Sequence, residues 1–166
     1  MPGECGAGAL ARSVARGGAR GVIAAMAMSG LRQVTTALGL VPQTPPESVL
    51  QTTAPRVFGR IPLNQRQALV ELIHWGYGAA GGVLFGTLPR DLRRRGWAGP
   101  AYGLLFWAGF GVVIAPALGI GHRYEGASRH AALISDHLLY GAVVAASVSV
   151  IAVDFFVTRL LITLMY

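Results

Sequence analysis

The chain has 166 residues, of which 53% are hydrophobic and only 13% charged, and its mean hydropathy of +0.52 is unusual for a water-soluble domain. Its net charge of +7 comes from 14 arginines, with no lysine, against 7 acidic residues. The arginines flank apolar segments, which argues for membrane topology and against nucleic-acid binding. The single cysteine, Cys5, excludes an intrachain disulfide and a cysteine-based metal site.

The N-terminal segment differs in composition from the rest. Residues 1–17 are rich in glycine, alanine and arginine and have little to bury, so we predict a flexible cytoplasmic tail. The basic stretch followed by an apolar one resembles a signal peptide. Because the apolar run continues past Gly30, we expect an uncleaved first span. Residues 18–166 then form a single transmembrane domain.

Four apolar segments are long enough to cross a hydrocarbon core of about 30 Å, at about 1.5 Å per residue of helix. The first is the weakest, because Arg32 interrupts it and a charge near a helix centre costs about 2.5–3.5 kcal/mol on insertion scales. An internal repeat supports this span nevertheless. The four predicted spans are about 18–40, 68–88, 99–120 and 131–153.

The repeat consists of two short patterns that each occur twice. His-x-x-Tyr-Gly opens the second and fourth spans at 74–78 and 137–141, and Ala-Leu-Gly closes the first and third spans at 37–39 and 117–119. The repeated unit is therefore a helical hairpin. We predict an all-α membrane protein of two tandem hairpins in the same orientation, related by a pseudo-twofold axis along the membrane normal.

The connection after the first span is long and contains a helix start signal. Thr44-Pro45-Pro46-Glu47 has the residue types of a capping box, with proline at the first helical position. We predict a short amphipathic helix that ends at about Thr53 and lies along the outer surface. In the third span, Pro116 predicts a bend.

Small residues at helical spacing predict close helix contacts. Gly21, Ala25 and Ser29 form such a stripe on the first span. Residues of the second and fourth spans continue the pattern and are predicted to pack helices together: Gly78, Gly82, Gly86 and Gly141.

The distribution of arginines predicts the orientation of the protein. Arg12, Arg16 and Arg20 precede the first span, and a cluster from Arg90 to Arg95 lies between the second and third spans. Fewer arginines lie on the other side. By the positive-inside rule we place both termini in the cytoplasm of a bacterial cell, with the protein in the cytoplasmic membrane.

Polar residues from different spans are predicted to share one layer near the outer face. Ionisable groups inside membrane helices normally point toward partners or water. We expect Arg32 to pair with Glu71 and the histidines and tyrosines to link the helices. The predicted layer comprises Arg32, Glu71, His74, Tyr77, Asp136, His137 and Tyr140.

Three interpretations of this layer stay open at the level of sequence. The first is a structural network, and the second is a metal or proton site, since Glu71-x-x-His74 has the spacing of carboxylate-bridged metal sites in helical bundles. The third is a path for a small solute. Hydrolase, zinc-protease and phosphate-loop motifs do not occur, so we predict no enzyme activity, no catalytic residue and no cofactor.

Five segments, read together, form a recognisable combination: Met28-Ser29-Gly30, Pro45-Pro46-Glu47, His74 to Gly86, Pro116 to Ile120 and His137 to Gly141. This combination resembles the YagU-like family of uncharacterised bacterial inner-membrane proteins. The resemblance covers about residues 20–146. It implies a small multi-span membrane protein and supplies no catalytic residues.

We therefore predict a non-enzymatic structural or accessory role in the membrane, with a small transporter or channel for a proton, metal ion or small solute as the alternative. The expected partners are membrane lipids and further protein, as a homo-oligomer or a larger membrane complex, and not nucleic acid. The apolar lower half of the second and fourth spans favours the structural role over conduction.

Overall fold

The computed structural model describes residues 3–39, 45–120 and 127–146, and all regular structure in these ranges is helical. The prediction of an all-α chain is confirmed for this part. A π turn, Phe110–Ile114, joins two of the helices into one continuous rod. The helices are α1 Gly3–Ala37, α2 Pro45–Thr53, α3 Pro55–Arg60, α4 Leu63–Thr87, α5 Arg90–Arg93, α6 Ala98–Gly109, α7 Ala115–Ala117 and α8 Ala127–Ala145.

The N-terminal segment departs from the prediction of a flexible tail. Helix α1 already begins at Gly3, and its first half packs on the end of α4. The Ser13 hydroxyl donates a hydrogen bond to the carbonyl oxygen of Gly86 at 2.9 Å, and Gly17 is buried against α4. Alanine and arginine have high helix propensity, and the small residues let the backbones meet, so composition alone was misleading here.

The repeated Ala-Leu-Gly pattern is a helix end. Gly39 and Gly119 have φ values of 72° and 67°, the left-handed conformation that glycine adopts without steric cost. After α7, the amide of Gly119 donates to the carbonyl of Pro116, and that of Ile120 to Ala115, which together form a Schellman motif. At the end of α1 the Gly39 amide bonds the Thr36 carbonyl in the same way. Both occurrences of the Ala-Leu-Gly pattern therefore end a helix with a left-handed glycine.

A π turn lies directly before Pro116, where we predicted a bend. Proline has no amide hydrogen, and its ring would clash with the carbonyl four residues earlier, that of Val112. The wider turn from Phe110 to Ile114 accommodates this carbonyl and lets the rod continue to Ala117.

Helix α2 occupies the range predicted for the amphipathic helix, Pro45–Thr53. Thr44, the predicted cap, lies outside the described residues. Val49 packs on a small apolar cluster of Ala115, Ile120 and Leu133, so α2 covers the ends of α7 and α8. We call this the α2 end of the bundle, and the opposite one the α5 end.

The long helices form two glycine-packed pairs. Helix α1 packs along α4, where any side chain at Gly21 or Gly82 would overlap the opposing backbone. Helix α6 packs on α8 through Gly99, Gly103 and Gly141 in the same manner. The pairs meet where α1 contacts α8 and where aromatic rings of α4 and α6 stack.

Two rods in the described part of the chain are long and apolar enough to cross a membrane, Leu63–Thr87 and Ala98–Ala117. They correspond to the second and third predicted spans. Helices α1 and α8 carry more polar residues, Arg32 and Asp136 among them. Of the predicted fourth span, residues 147–153 lie outside the described ranges, as does the tail beyond them.

Candidate functional site

The polar layer lies near the α2 end and is centred on Arg32 of α1. Arg32 is only 5% exposed, and its Nε lies 3.7 Å from Oδ2 of Asp136, which is 3% exposed. Its Nη2 lies 3.4 Å from Nε2 of His74. A guanidinium group only donates, so Nε2 of His74 is the acceptor and the His74 ring is neutral in this contact. Arg32 therefore links α1 to both α4 and α8.

The predicted pairing of Arg32 with Glu71 is wrong. Glu71 is half-buried and accepts a hydrogen bond from the Ser29 hydroxyl, and Arg32 pairs with Asp136 instead. Glu71 and His74 are three residues apart, which places them about 60° apart around the helix axis. This angle directs His74 toward Arg32 and Glu71 toward the other side of the α1–α4 contact. Helical periodicity predicted the depth of each residue in the bundle but not the direction of its side chain.

Ser29 is the centre of a second polar cluster, which the sequence analysis did not identify. Its hydroxyl contacts Glu71, lies 3.1 Å from the carbonyl of Ala25, and accepts a hydrogen bond from the indole Nε1 of Trp75 at 3.3 Å. We had assigned Ser29 to the small-residue stripe. The sequence does contain a signal for this role of Ser29. Ser29 lies about one turn before Arg32, so both residues are on the helix face toward α4.

His137 and Tyr140 bind backbone rather than each other. Nδ1 of His137 lies 2.8 Å from the carbonyl of Leu133, one turn earlier in α8, so Nδ1 donates and Nε2 is free to accept. The Tyr140 hydroxyl donates to the carbonyl of Gly78 at 2.6 Å. Tyr140 is 1% exposed and fastens the two helix pairs together.

An aromatic cluster closes the layer toward the α5 end. Tyr77 stacks on Phe106 at 4.7 Å between ring centroids, and Phe106 also stacks on Tyr140 and Tyr102. The Tyr102 hydroxyl donates to the carbonyl of Gly81 at 2.6 Å. Tyr102 is a site residue that sequence reasoning missed, because it lies outside the repeated pattern. Below these rings, Met28, Phe85 and Val144 form the buried core of the described helices.

A cavity of about 150 Å³ adjoins the polar layer. Arg32, His74 and His137 contribute its polar groups, while the rest of the wall is mainly apolar and comes from α2, α4, the α6–α7 rod and α8. Nε and Nη1 of Arg32 and Oδ1 of Asp136 are buried and form no hydrogen bond with any described residue. Buried polar atoms normally have a partner, so this group has unused hydrogen-bonding capacity beside the cavity.

The predicted layer is thus divided into parts. Arg32, Asp136 and His74 come together, with His137 on the same cavity wall, whereas Glu71 lies with Ser29, and Tyr77 and Tyr140 belong to the aromatic cluster. Among the described residues, no three His, Cys, Asp or Glu side chains are grouped so that they could hold a metal ion. The Glu71-x-x-His74 spacing therefore does not form a ligand set in this part of the chain.

The fold and site define a class of protein: a helical bundle with a buried arginine–aspartate pair, in which two helices of the described ranges could cross a membrane. The chain belongs to the Family of unknown function (DUF6789), whose profile matches residues 11–154. The matched region includes most of α1 and all the later helices. No curated protein and no solved structure matched the chain.

Proposed function

We propose that the protein is an integral membrane protein with a non-enzymatic, structural or accessory role. The observation that carries this proposal is the inverted distribution of polarity in the bundle. Arg32 and Asp136 are buried, whereas large apolar side chains face outward on the long helices. Leu72, Leu105 and Val112, for example, are 61%, 71% and 76% exposed. Such outward apolar surface is stable in lipid and costly in water.

The proposal includes four spans, with α1 and α8 joining the two apolar rods. By composition α1 and α8 are poor membrane helices, but Arg32 of α1 pairs with Asp136 of α8, so neither of these two charges faces lipid. The two glycine-packed pairs support the tandem-hairpin repeat, since Gly82 in one pair and Gly141 in the other both lie at a backbone contact. We also propose a bacterial cytoplasmic membrane, kinship with YagU-like proteins and cytoplasmic termini.

The structural role is supported by how the interior of the bundle is filled. In the described residues, the aromatic cluster and the core of Met28, Phe85 and Val144 occupy the space between the polar layer and the α5 end. A conduction path would need a continuous polar lining through this region. Most polar side chains of the layer instead bind the backbone or one another, which suits a fixed scaffold.

Cysteine labelling tests the membrane proposal and its orientation. On a Cys5→Ser background, an impermeant thiol reagent added to intact cells should modify a cysteine at Thr52, in α2, and spare one at Gly96, between α5 and α6. Both positions are exposed, so lack of labelling at Gly96 would reflect the membrane rather than burial. Permeabilised cells, in which both should react, provide the control. Equal labelling in intact cells would contradict the proposal.

A small-solute carrier is the second candidate, favoured by the cavity of about 150 Å³ beside Arg32. Purified protein in liposomes should then carry protons or a small polar solute such as urea faster than protein-free liposomes. Leu133→Trp, which fills the cavity from α8, should abolish that flux. Flux equal to that of empty liposomes for the wild type would exclude the carrier for these solutes and leave the structural role.

A further inference from the structure

A second and larger cavity opens at the α5 end, on the opposite side of the molecule from the polar layer. Its volume is about 1040 Å³, and its walls come from the first half of α1, the end of α4, the α4–α6 connection and the end of α8. Gly17 and Gly86, where the backbones of α1 and α4 meet, lie among the lining residues. We call this cavity the arginine basin.

The basin is lined by seven arginines and by no acidic residue. Three of them recur every four residues on α1 and so share one face of that helix. The others come from α5 and the two residues after it, across the cavity. All seven belong to the described part of the chain: Arg12, Arg16, Arg20, Arg90, Arg93, Arg94 and Arg95.

The arginines are arranged at two depths. Arg93 and Arg20 are half-buried, and Nε of Arg93 donates to the carbonyl of Leu88 at 2.9 Å, which fixes this side chain in the wall. Arg16 and Arg94 are exposed at the rim. Like charges that line one concave surface repel one another and raise the local concentration of anions. A bound anion with several acceptor oxygens would relieve this repulsion.

We propose that the arginine basin binds phosphate groups, and that their source is the headgroup of an anionic membrane phospholipid. Guanidinium groups match phosphate oxygens with paired hydrogen bonds, and a basic pocket between membrane helices lies at headgroup level. The choice of lipid as the source rests on the proposed membrane function. Recognition of phosphate itself rests only on the basin.

Lipid retention measured by native mass spectrometry tests the proposal on the full chain. Purified protein is exchanged into micelles with either dioleoyl phosphatidylglycerol or dioleoyl phosphatidylcholine. The test variant is Arg16→Gln/Arg94→Gln, which removes one rim charge from each wall. The matched control is Arg56→Gln/Arg60→Gln, which removes two exposed charges from α3, at the other end. A second variant, Arg16→Lys/Arg94→Lys, keeps both charges and controls for a folding defect caused by substitution at these positions.

The wild type and the α3 control should retain phosphatidylglycerol in preference to phosphatidylcholine. The Gln variant of the basin should bind phosphatidylglycerol roughly thirtyfold more weakly, given the usual gain for each of the two basic residues near an anionic surface. The Lys variant should keep most of the binding. Equal retention of phosphatidylglycerol by the basin and α3 Gln variants would overturn the lipid proposal.

Titration with glycerol 3-phosphate in detergent separates the two sources of phosphate. The lipid assignment is overturned if the wild type binds glycerol 3-phosphate, the Gln variant of the basin loses this binding, and phosphatidylglycerol is not retained. The basin then recognises phosphate from a solute. If neither probe depends on the basin, phosphate recognition is overturned as well. Failure of the membrane proposal would appear separately, in the cysteine labelling, and leaves the glycerol 3-phosphate measurement unaffected.

Discussion

Arg32 and Asp136 carry opposite charges and are both buried inside the bundle. Moving two ions out of water costs free energy, and their mutual attraction offsets this cost only while they remain together. Breaking the pair is therefore more destabilising than the net contribution of the intact pair to stability would suggest. The Arg32 contact to His74 adds a third helix to this arrangement. The pair therefore determines how α1, α4 and α8 fit together.

Removing one member of the pair should be far more harmful than removing both. Arg32→Met or Asp136→Leu alone should lower the free energy of unfolding by about 3–5 kcal/mol, because an uncompensated charge stays buried. The double variant should lose much less. The coupling energy of the pair follows from the unfolding free energies, in detergent, of the wild type, the two single variants and the double variant. The control is the same double-mutant cycle made with Arg32→Met and Glu71→Gln. A larger coupling in the Glu71 cycle would contradict the observed pairing.

Tyr77 and Tyr140 occupy equivalent positions in the sequence repeat but have different surroundings. Tyr140 donates its hydroxyl proton to Gly78 and is buried, whereas Tyr77 is 39% exposed and contacts Phe106 through its ring. Tyr140→Phe should therefore cost about 0.5–1.5 kcal/mol or more of unfolding free energy. Tyr77→Phe keeps the ring contact and should be close to neutral. Equal effects in a thermal unfolding assay would mean that the hydroxyl of Tyr140 makes no net contribution.

At the scale of elements, glycine contacts decide which helices pair. At Gly82 a Cβ atom would lie 2.8 Å from backbone atoms of Gly21, closer than such atoms approach one another. Dispersion contacts along such an interface are individually small and are lost together when the helices separate. Backbone contact, rather than side-chain volume, therefore holds α1 against α4.

Gly82→Leu should sharply lower the yield of folded protein, because it separates α1 from α4. The control is Gly76→Leu in the same helix, where nothing lies within 4 Å of the added Cβ and the position is exposed. Size-exclusion chromatography in mild detergent measures the folded fraction of each. If both variants behave as the wild type, the glycine stripe does not support the α1–α4 contact.

The sequence predicted these elements unequally well. The bounds of α2 and the apolar rods followed from proline placement and hydropathy, which act locally. The first turns of α1 were missed, since their helicity depends on contact of Ser13 and Gly17 with α4. The same limit applies at the site: periodicity placed Arg32 and Asp136 at one depth, but only packing of α1 against α8 selects Asp136 over Glu71 as the partner.

At the scale of the whole molecule, two helix pairs meet through polar, aromatic and apolar contacts. Among them are the Arg32–Asp136 pair, the Tyr140–Gly78 hydrogen bond and the stacked rings of Tyr77 and Phe106. Within each pair the glycine contacts are local to a hairpin. The molecule should therefore be separable into two halves that recognise each other.

Co-expressed fragments 1–94 and 95–166 should associate in the membrane and co-purify through a tag on one of them. Asp136→Leu in the second fragment should greatly reduce recovery of the first, because it leaves Arg32 unpaired. Ser135→Leu is the control, since Ser135 is exposed and its hydroxyl bonds only within α8, to the carbonyl of Ala131. If recovery is the same with Asp136→Leu and with Ser135→Leu, the pair does not join the halves.

The position of the two charges also constrains the order of biosynthesis. Arg32 precedes Asp136 in the chain and is therefore translated before it. Under the proposed four-span arrangement, α1 would reach the membrane with a guanidinium group whose partner does not yet exist. The cost of that charge would then oppose insertion of α1 until α8 had been translated, so stable integration of these two helices would be completed together and late.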